Sequence, residues 1–347
     1  MMLKAAVIGL GNIGFQFNLD PKRKETWSHV SAYGKCEKTK LAGAVETDDA
    51  KIALFKKHYD AVPVFKNVRK LMKDIGPDIV SICTPTRSHY GLVRELLRYP
   101  VKAIFCEKPI AATMGEAKKM VRSCEAKNVI LAINHVRRWE GSYVAAAQLV
   151  QGGGIGDVKS AEAFYPGQIF NIGTHLLDTV RMIIGKEPES ASGISFDPGH
   201  PDPGVSGWIR FSGDILCAVN ATGKREDLIF EIDIIGSDGR LRISGNGEKL
   251  ERFSFAESRR YSGYRELKST GTDTVPINDR FVEAIHDIVR VVEGKKAAVN
   301  CTGRDALYAL AMSYAMLGSA RKNGRPVKVD VGKREILLKQ EIEVKRV

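Results

Sequence analysis

Through the first 134 residues, short apolar runs alternate with stretches whose apolar residues recur at three- and four-residue spacing. The runs Ala5–Gly9, Leu41–Glu46, Ile79–Cys83, Ala103–Cys106 and Val129–Asn134 have the length and composition of buried strands. The intervening stretches Asp49–Tyr59, Val68–Ile75, His89–Leu97 and Thr113–Lys127 read as amphipathic helices, and Thr113 with Glu116 forms a capping-box signature. Strands and helices in strict alternation imply a parallel sheet with crossover helices on its faces, a doubly wound α/β domain. Between Gly14 and the second strand lie about ten residues more than a simple first helix needs. The extra stretch, Asn18–His29, is basic, carries Trp27 and His29, and reads either as a lid or as a plain surface insertion.

From Tyr143 the pattern changes to one helix, a glycine-rich turn at 152–157, and longer alternating segments. Val158–Tyr165, Gly207–Phe211, Ile215–Ala221, Phe230–Ile235 and Arg240–Ser244 are strand candidates, with Ser237-Asp238-Gly239 as a hairpin turn. Helices over Arg280–Glu293 and Asp305–Lys322 close the pattern. The prediction is therefore an α/β protein of two domains. Residues 1–134 form a parallel-sheet domain, and residues 135–347 an α/β domain with a mainly antiparallel sheet. A chain of 347 residues exceeds the size at which one core usually stops growing, which agrees with the division.

Composition narrows the function classes. No apolar run approaches the roughly 20 residues of a membrane span, and no signal segment is evident, so a cytoplasmic protein with no membrane partner is expected. The six cysteines have no C-x-x-C pair, which points to reduced thiols and no metal site. The net charge of +12 comes with no basic block or nucleic-acid motif, so an anionic small substrate or a solvated basic surface is expected, and no nucleic acid.

The chemistry concentrates in three places. Gly9-Leu10-Gly11-Asn12-Ile13-Gly14 follows the first apolar run, where a strand turns into a helix, and such glycines let a dinucleotide pyrophosphate approach the backbone. Glu46, at the end of the second strand, can accept hydrogen bonds from an adenosine ribose diol and would repel a 2′-phosphate, so NAD is favoured over NADP. The loop Cys83-Thr84-Pro85-Thr86-Arg87-Ser88-His89 ends the third predicted strand at the carboxyl edge, where ligands bind; Thr84, Pro85 and His89 are cofactor candidates there. Next, Cys106-Glu107-Lys108-Pro109 puts a lysine directly at a strand end beside the expected nicotinamide. Burial would lower its pKa and suit it to pass a proton, with Glu107 countering its charge or orienting the cofactor. Finally, Gly173-Thr174-His175-Leu176-Leu177-Asp178 places His175 and Asp178 on one helical face. Arg138, in the segment Asn134–Trp139 that joins the domains, offers a guanidinium fork to a carboxylate or phosphate.

Together with the Gly154-Ile155-Gly156 turn and the tail Gly303–Val327, these motifs resemble the Gfo/Idh/MocA family (glucose-fructose oxidoreductase, inositol dehydrogenase, rhizopine catabolism) nearly end to end. The resemblance implies a Rossmann domain, a second α/β domain with an open sheet, and NAD or NADP exchanging hydride with sugar or cyclitol carbons. It carries the family's lysine onto Lys108 and its histidine onto His175. Four residues before that histidine the family commonly has aspartate; this chain has Asn171, as in members that are similar to UDP-N-acetylglucosaminuronate 3-dehydrogenases. A nucleotide-sugar hydroxyl, with C3 as the candidate carbon, is then the leading substrate class, contacted by Arg138, Asn171 and Asp178. A homodimer or homotetramer formed through the open sheet is expected. The rival readings are net hydrolysis or isomerisation by internal recycling of bound NAD, and a non-catalytic NAD-bound sensor.

Overall fold

A computed structural model describes residues 2–275 and 278–332; residues 333–347, assigned above to the second domain, lie outside the described residues. The first half forms a parallel sheet of β1 (Leu3–Ile8), β2 (Thr39–Val45), β3 (Val64–Phe65), β4 (Ile79–Ile82), β5 (Ala103–Cys106) and β6 (Ile130–Ile133), in the order β3-β2-β1-β4-β5-β6. The order reverses at β1, between β2 and β4, which is where a doubly wound sheet opens a crevice for a ligand. The residues of β1, β4 and β5 are almost all fully buried, as the continuous apolar runs require of strands covered on both faces. The short strand β3, at the end of the proline-broken apolar run Ala61-Val62-Pro63-Val64-Phe65, is not among the predicted strands; it pairs with the end of β2 through Ala44 and Val45.

The helices are α1 (His29–Lys35), α2 (Asp49–Lys56), α3 (Val68–Asp74), α4 (His89–Leu96), α5 (Met114–Ala126), α6 (Gly141–Gln151), α7 (Thr174–Ile184), α8 (Arg280–Val292) and α9 (Gly303–Ala320). The first of them explains the extra residues after Gly14. The chain leaves the glycine turn through a single 3₁₀ turn at Gln16–Leu19 and comes back at Ser28, which caps α1. There the His29 and Val30 amides donate to the Ile13 and Gly14 carbonyls (both 3.1 Å), so the fingerprint helix is split and rejoined across the insertion.

The second half carries a nine-stranded sheet of β7 (Val158–Tyr165), β8 (Pro188–Ser195), β9 (Val205–Phe211), β10 (Ile215–Ala221), β11 (Glu231–Gly236), β12 (Gly239–Ser244), β13 (Lys249–Glu257), β14 (Arg265–Thr274) and β15 (Val327–Lys328), ordered β14-β13-β12-β11-β7-β10-β9-β8-β15. Every neighbour pair is antiparallel except β7 with β10. Helix α9 packs on β8 and α7 and also reaches α5, while the loop before it bridges β6 at Ala132 and Thr302. The last two helices therefore bind the halves together, and Lys108, at the end of β5, faces α7 across the seam.

Candidate active site

The glycine turn is shaped by contacts that only glycine permits. Gly9 has φ +95°, and a Cβ on Gly14 would lie 2.1 Å from the Gly9 carbonyl oxygen, so a side chain at either position would force the turn open. A Cβ on Gly11 would meet nothing within 4 Å, which leaves the outer face of the turn free. Asn12 and Ile13 complete it, and Ile13 borders the central cleft. Beside the turn, the nearly buried Glu46 accepts the amides of Leu10 (2.8 Å), Thr47 (2.8 Å) and Asp48 (3.1 Å). The cap of α2 is Asp48, whose carboxylate takes the Ala50 and Lys51 amides, so Glu46 is not spent on the helix. Thr84 packs against Gly9, and its hydroxyl pairs with Ser88 Oγ at 2.6 Å. A bare glycine face, a fixed carboxylate and a hydroxyl-bearing loop at one sheet edge fit a dinucleotide.

Lys108 stands just past the end of β5, and its peptide bond to Pro109 is cis. Its neighbour Glu107 lies under the cleft in a closed network. His29 Nε2 donates to Glu107 Oε1 at 2.9 Å, Asn134 Nδ2 donates to the same oxygen at 2.6 Å, and His29 Nδ1 lies 2.8 Å from Ser81 Oγ, which also meets the Tyr33 hydroxyl at 2.8 Å. Burial pushes the Glu107 carboxyl up, but the hydrogen bonds from His29 and Asn134 outweigh it and hold the group below the ordinary carboxylate range. The insertion thus supplies a buried histidine that fixes the residue before the lysine.

The Lys108 ammonium donates to both oxygens of Asn171, the carbonyl at 2.6 Å and Oδ1 at 3.1 Å. Asn171 stands in a π-helical turn, Ile169–Gly173, that leads into α7. Burial lowers the Lys108 pKa to about 8, with Glu107 opposing the shift and Arg225 and Arg137 adding to it. His175, one residue into α7, lines the same cleft, a cavity of about 310 Å³. Burial and the nearby Lys108 charge hold His175 well below the usual histidine range, so it is neutral at neutral pH. His135 crosses it edge-on, with ring centroids 5.3 Å apart, and is pushed by burial to about 4. A half-buried lysine near neutrality and a neutral imidazole on opposite walls can share the proton of one substrate hydroxyl.

Three expectations are corrected. Arg138 is buried and bound bidentately to Asp178, Nε to Oδ2 at 2.8 Å and Nη2 to Oδ1 at 2.9 Å, with Nη1 donating to the Asn300 carbonyl. The two residues therefore form an internal ion pair, completed by Asp305 at 3.3 Å, and neither borders the cleft. Of the two adjacent arginines, the one that borders it is Arg137, stacked 3.5 Å from the Phe230 ring centroid. Both stand in the 3₁₀ turn Val136–Trp139, where adjacent residues point to different sides, so sequence adjacency could not choose between them. His89 is likewise internal: it is fully buried, with Nε2 2.9 Å from the Thr84 carbonyl oxygen and Nδ1 3.1 Å from that of Pro109. It ties two loops of the site together and offers no surface to a cofactor.

The insertion is part of the site. Phe17, Arg23 and Trp27 border the cleft, Arg23 stacking on both rings at 4.1 and 4.8 Å and Arg280 on Trp27 at 4.4 Å. The Thr26 amide donates to Asp279 Oδ1 at 2.9 Å, which pins the loop to the start of α8. The indole and imidazole were the sequence signal for this; Arg280 and Asp202, which also meet the site, had none.

Comparison with known proteins supplies the family. Residues 3–135 match the oxidoreductase family's NAD-binding Rossmann fold, and residues 149–329 match the same family's C-terminal alpha/beta domain. An uncharacterized oxidoreductase of Schizosaccharomyces pombe is 27% identical over 76% of this chain and 74% of its own. Inositol 2-dehydrogenase of Rhizobium meliloti is 28% identical over 70% of this chain and 78% of its own. The solved structure of UDP-N-acetylglucosamine 3-dehydrogenase GnnA from Acidithiobacillus ferrooxidans superposes with a TM-score of 0.76 at 18% identity, covering 93% of this chain and 98% of that one. With both family domains matched in order along the chain, the protein belongs to the Gfo/Idh/MocA oxidoreductases and carries their NAD-binding Rossmann fold.

Proposed function

We propose that the protein moves hydride between NAD and a hydroxyl-bearing ring carbon of a sugar, with a nucleotide sugar as the leading class and C3 as the candidate carbon. The observation that carries this is the Lys108 ammonium held at the cleft opposite His175. When bound, NAD supplies or takes the hydride. Gly9, Gly11, Asn12, Ile13 and Gly14 would cradle its pyrophosphate, Glu46 its ribose, and Thr84, Pro85 and Glu107 the approach to the nicotinamide. Neutral Lys108 accepts the hydroxyl proton in oxidation and, protonated, returns it in reduction; His175 hydrogen-bonds the same oxygen, and Asn171 aims the lysine.

Support for an anionic substrate comes from the cleft lining. Arg23, Arg137, Arg225 and Arg280 share it with Lys108, and Arg137 and Arg225 make no ion pair among the described residues. Guanidinium groups so placed suit a diphosphate or carboxylate, and one solved structure of the same fold is a UDP-sugar 3-dehydrogenase. The six unpaired, buried thiols suit a reducing cytoplasm, and the exposed apolar Leu216 and Ile235 on the open sheet suit a dimer or tetramer through it; a monomeric mass by light scattering would remove that assembly.

The test is nicotinamide absorbance with NAD and a panel of UDP-hexuronates, UDP-N-acetylhexosamines, free sugars and inositols. A signal restricted to nucleotide sugars supports the reading, and one restricted to inositols replaces the substrate class. Silence with NAD retained through purification would favour internal recycling or a sensor. Glu46 predicts tighter binding of NADH than NADPH; the reverse order in a fluorescence titration would remove it from the ribose.

A further inference from the structure

Asn171 is neutral, and Glu107 is committed to His29 and Asn134, so the lysine's surroundings raise the question of what else holds it. A second carboxylate reaches the same place from a different part of the chain. Asp202 sits in the loop between β8 and β9, a proline- and glycine-rich stretch with no motif in sequence. Its Oδ1 accepts the Phe170 amide at 2.8 Å and its Oδ2 the Asn171 amide at 3.1 Å, while the Pro203 carbonyl takes the Ile169 amide at 3.0 Å. The first amides of a helical turn have no partner within the turn; here all three are satisfied by one distant loop. That loop therefore sets where Asn171 stands, and both Asn171 oxygens receive the Lys108 ammonium. Asp202, Asn171 and Lys108 also line one further cavity of about 630 Å³, with Pro85, Thr86 and Tyr314 among its walls.

We propose that Asp202 is a positioning residue for Lys108: it clamps the Phe170 and Asn171 amides so that Asn171 aims the ammonium, and it supplies the second carboxylate facing that charge. The reading rests on Lys108 as the proton carrier. The groups facing Lys108 are Glu107 and Asp202, which favour the ammonium, Arg137 and Arg225, which oppose it, and neutral His175. Those facing Asp202 are Lys108 and His200, whose Nδ1 accepts the Asp202 amide at 3.0 Å.

The test measures Lys108 itself. In full-length, NAD-loaded protein, the pH dependence of its labelling by trinitrobenzenesulfonate, read by peptide mass spectrometry, reports the lysine whether or not a substrate is known. Asp202→Asn is expected to move the labelling midpoint to lower pH, raising labelling about three- to tenfold one pH unit below the wild-type midpoint. Asp202→Glu, which keeps the charge, should restore the wild-type midpoint. With an oxidised sugar in hand, Asp202→Asn should lower kcat about tenfold or more and shift the kcat profile the same way, leaving the NAD dissociation constant within about twofold. A midpoint unchanged in Asp202→Asn, or labelling raised equally at every pH as a loosened turn would give, overturns the proposal. Absence of any sugar oxidation, with the midpoint shifted, would count against the redox reading and leave Asp202's role standing. Thermal melts of each variant confirm that folded protein is compared.

Discussion

The two walls of the cleft are finished differently. On the Rossmann side, the polar groups beneath Lys108 close on one another: Tyr33 meets Ser81, Ser81 meets His29, and His29 and Asn134 meet Glu107. On the opposite side, His175 Nδ1 and Arg137 Nε are buried without a hydrogen-bond partner among the described residues, as are His135 Nδ1 and the Tyr143 hydroxyl near them. A buried polar atom left unpaired costs about 1–3 kcal/mol, so the second wall, with these atoms against Asn134 Oδ1 alone in the network beneath Lys108, stores more instability than the first. Such imperfection concentrates where a protein meets its ligand. On the proposed function, the first wall fixes a proton carrier in one place and the second is left for a substrate to complete.

The largest expected effect tests the finished wall. Lys108→Ala should lower kcat about 10³-fold while NADH still binds, because proton transfer is lost and the glycine turn and Glu46 remain. Loss of less than about tenfold in initial-rate assays would mean the lysine carries no proton. Next in size is the buried ion pair behind the second wall. Asp178→Asn leaves the Arg138 guanidinium buried without its bidentate partner and should cost about 3–5 kcal/mol in urea unfolding, with KM little changed in the protein that folds. Arg137→Met, one residue away, should do the reverse, raising KM about tenfold and leaving stability within about 1 kcal/mol. If the two variants exchanged phenotypes, the assignment of Arg138 and Asp178 to the interior would be wrong.

That pair of arginines also shows what a sequence can and cannot disclose. The parallel sheet was legible because β1, β4 and β5 are buried on both faces and so read as unbroken apolar runs, and the glycine turn because Gly9 and Gly14 have no substitute there. Strands β7 and β10 were found to the residue. By contrast β8, which begins with proline and reads Pro-Glu-Ser-Ala-Ser-Gly-Ile-Ser, and β14, a polar edge strand, owe their form to neighbours and carry no pattern of their own. In the site, Lys108 and His175 stood out because a strand end and a helix start fix where they point. Arg137 against Arg138, the caging of His89 and the remote clamp from Asp202 depend on which side of a turn faces inward, which one-dimensional spacing does not encode.

A pH profile probes the same contrast at smaller amplitude. Burial has lowered Lys108 to about 8, and oxidation needs it neutral. The oxidation rate should therefore rise about tenfold per pH unit up to about 8 and then level, and reduction, which needs the ammonium, should stay level up to about 8 and fall about tenfold per unit above it. His175 is already neutral across that window and adds no second limb there. An oxidation limb well below neutrality in place of one near 8 would point to a histidine as the titrating base.

The smallest expected effect concerns the insertion, which belongs to both walls: His29 anchors Glu107, and Phe17, Arg23 and Trp27 face the substrate side. Trp27 meets both the Arg23 and the Arg280 guanidinium, and the Thr26–Asp279 hydrogen bond pins the loop without it. Trp27→Ala should then open the cleft's rim while leaving Arg23 on Phe17, Arg280 paired with Glu140, and Lys108 and His175 where they are. The expected result is a KM raised about three- to tenfold with kcat within about threefold, since two cation–π contacts of roughly 0.5–1 kcal/mol each are lost. A fall in kcat of a hundredfold with KM unchanged would show instead that the indole works through His29 and Glu107 on the lysine, and would make the insertion an extension of the finished wall.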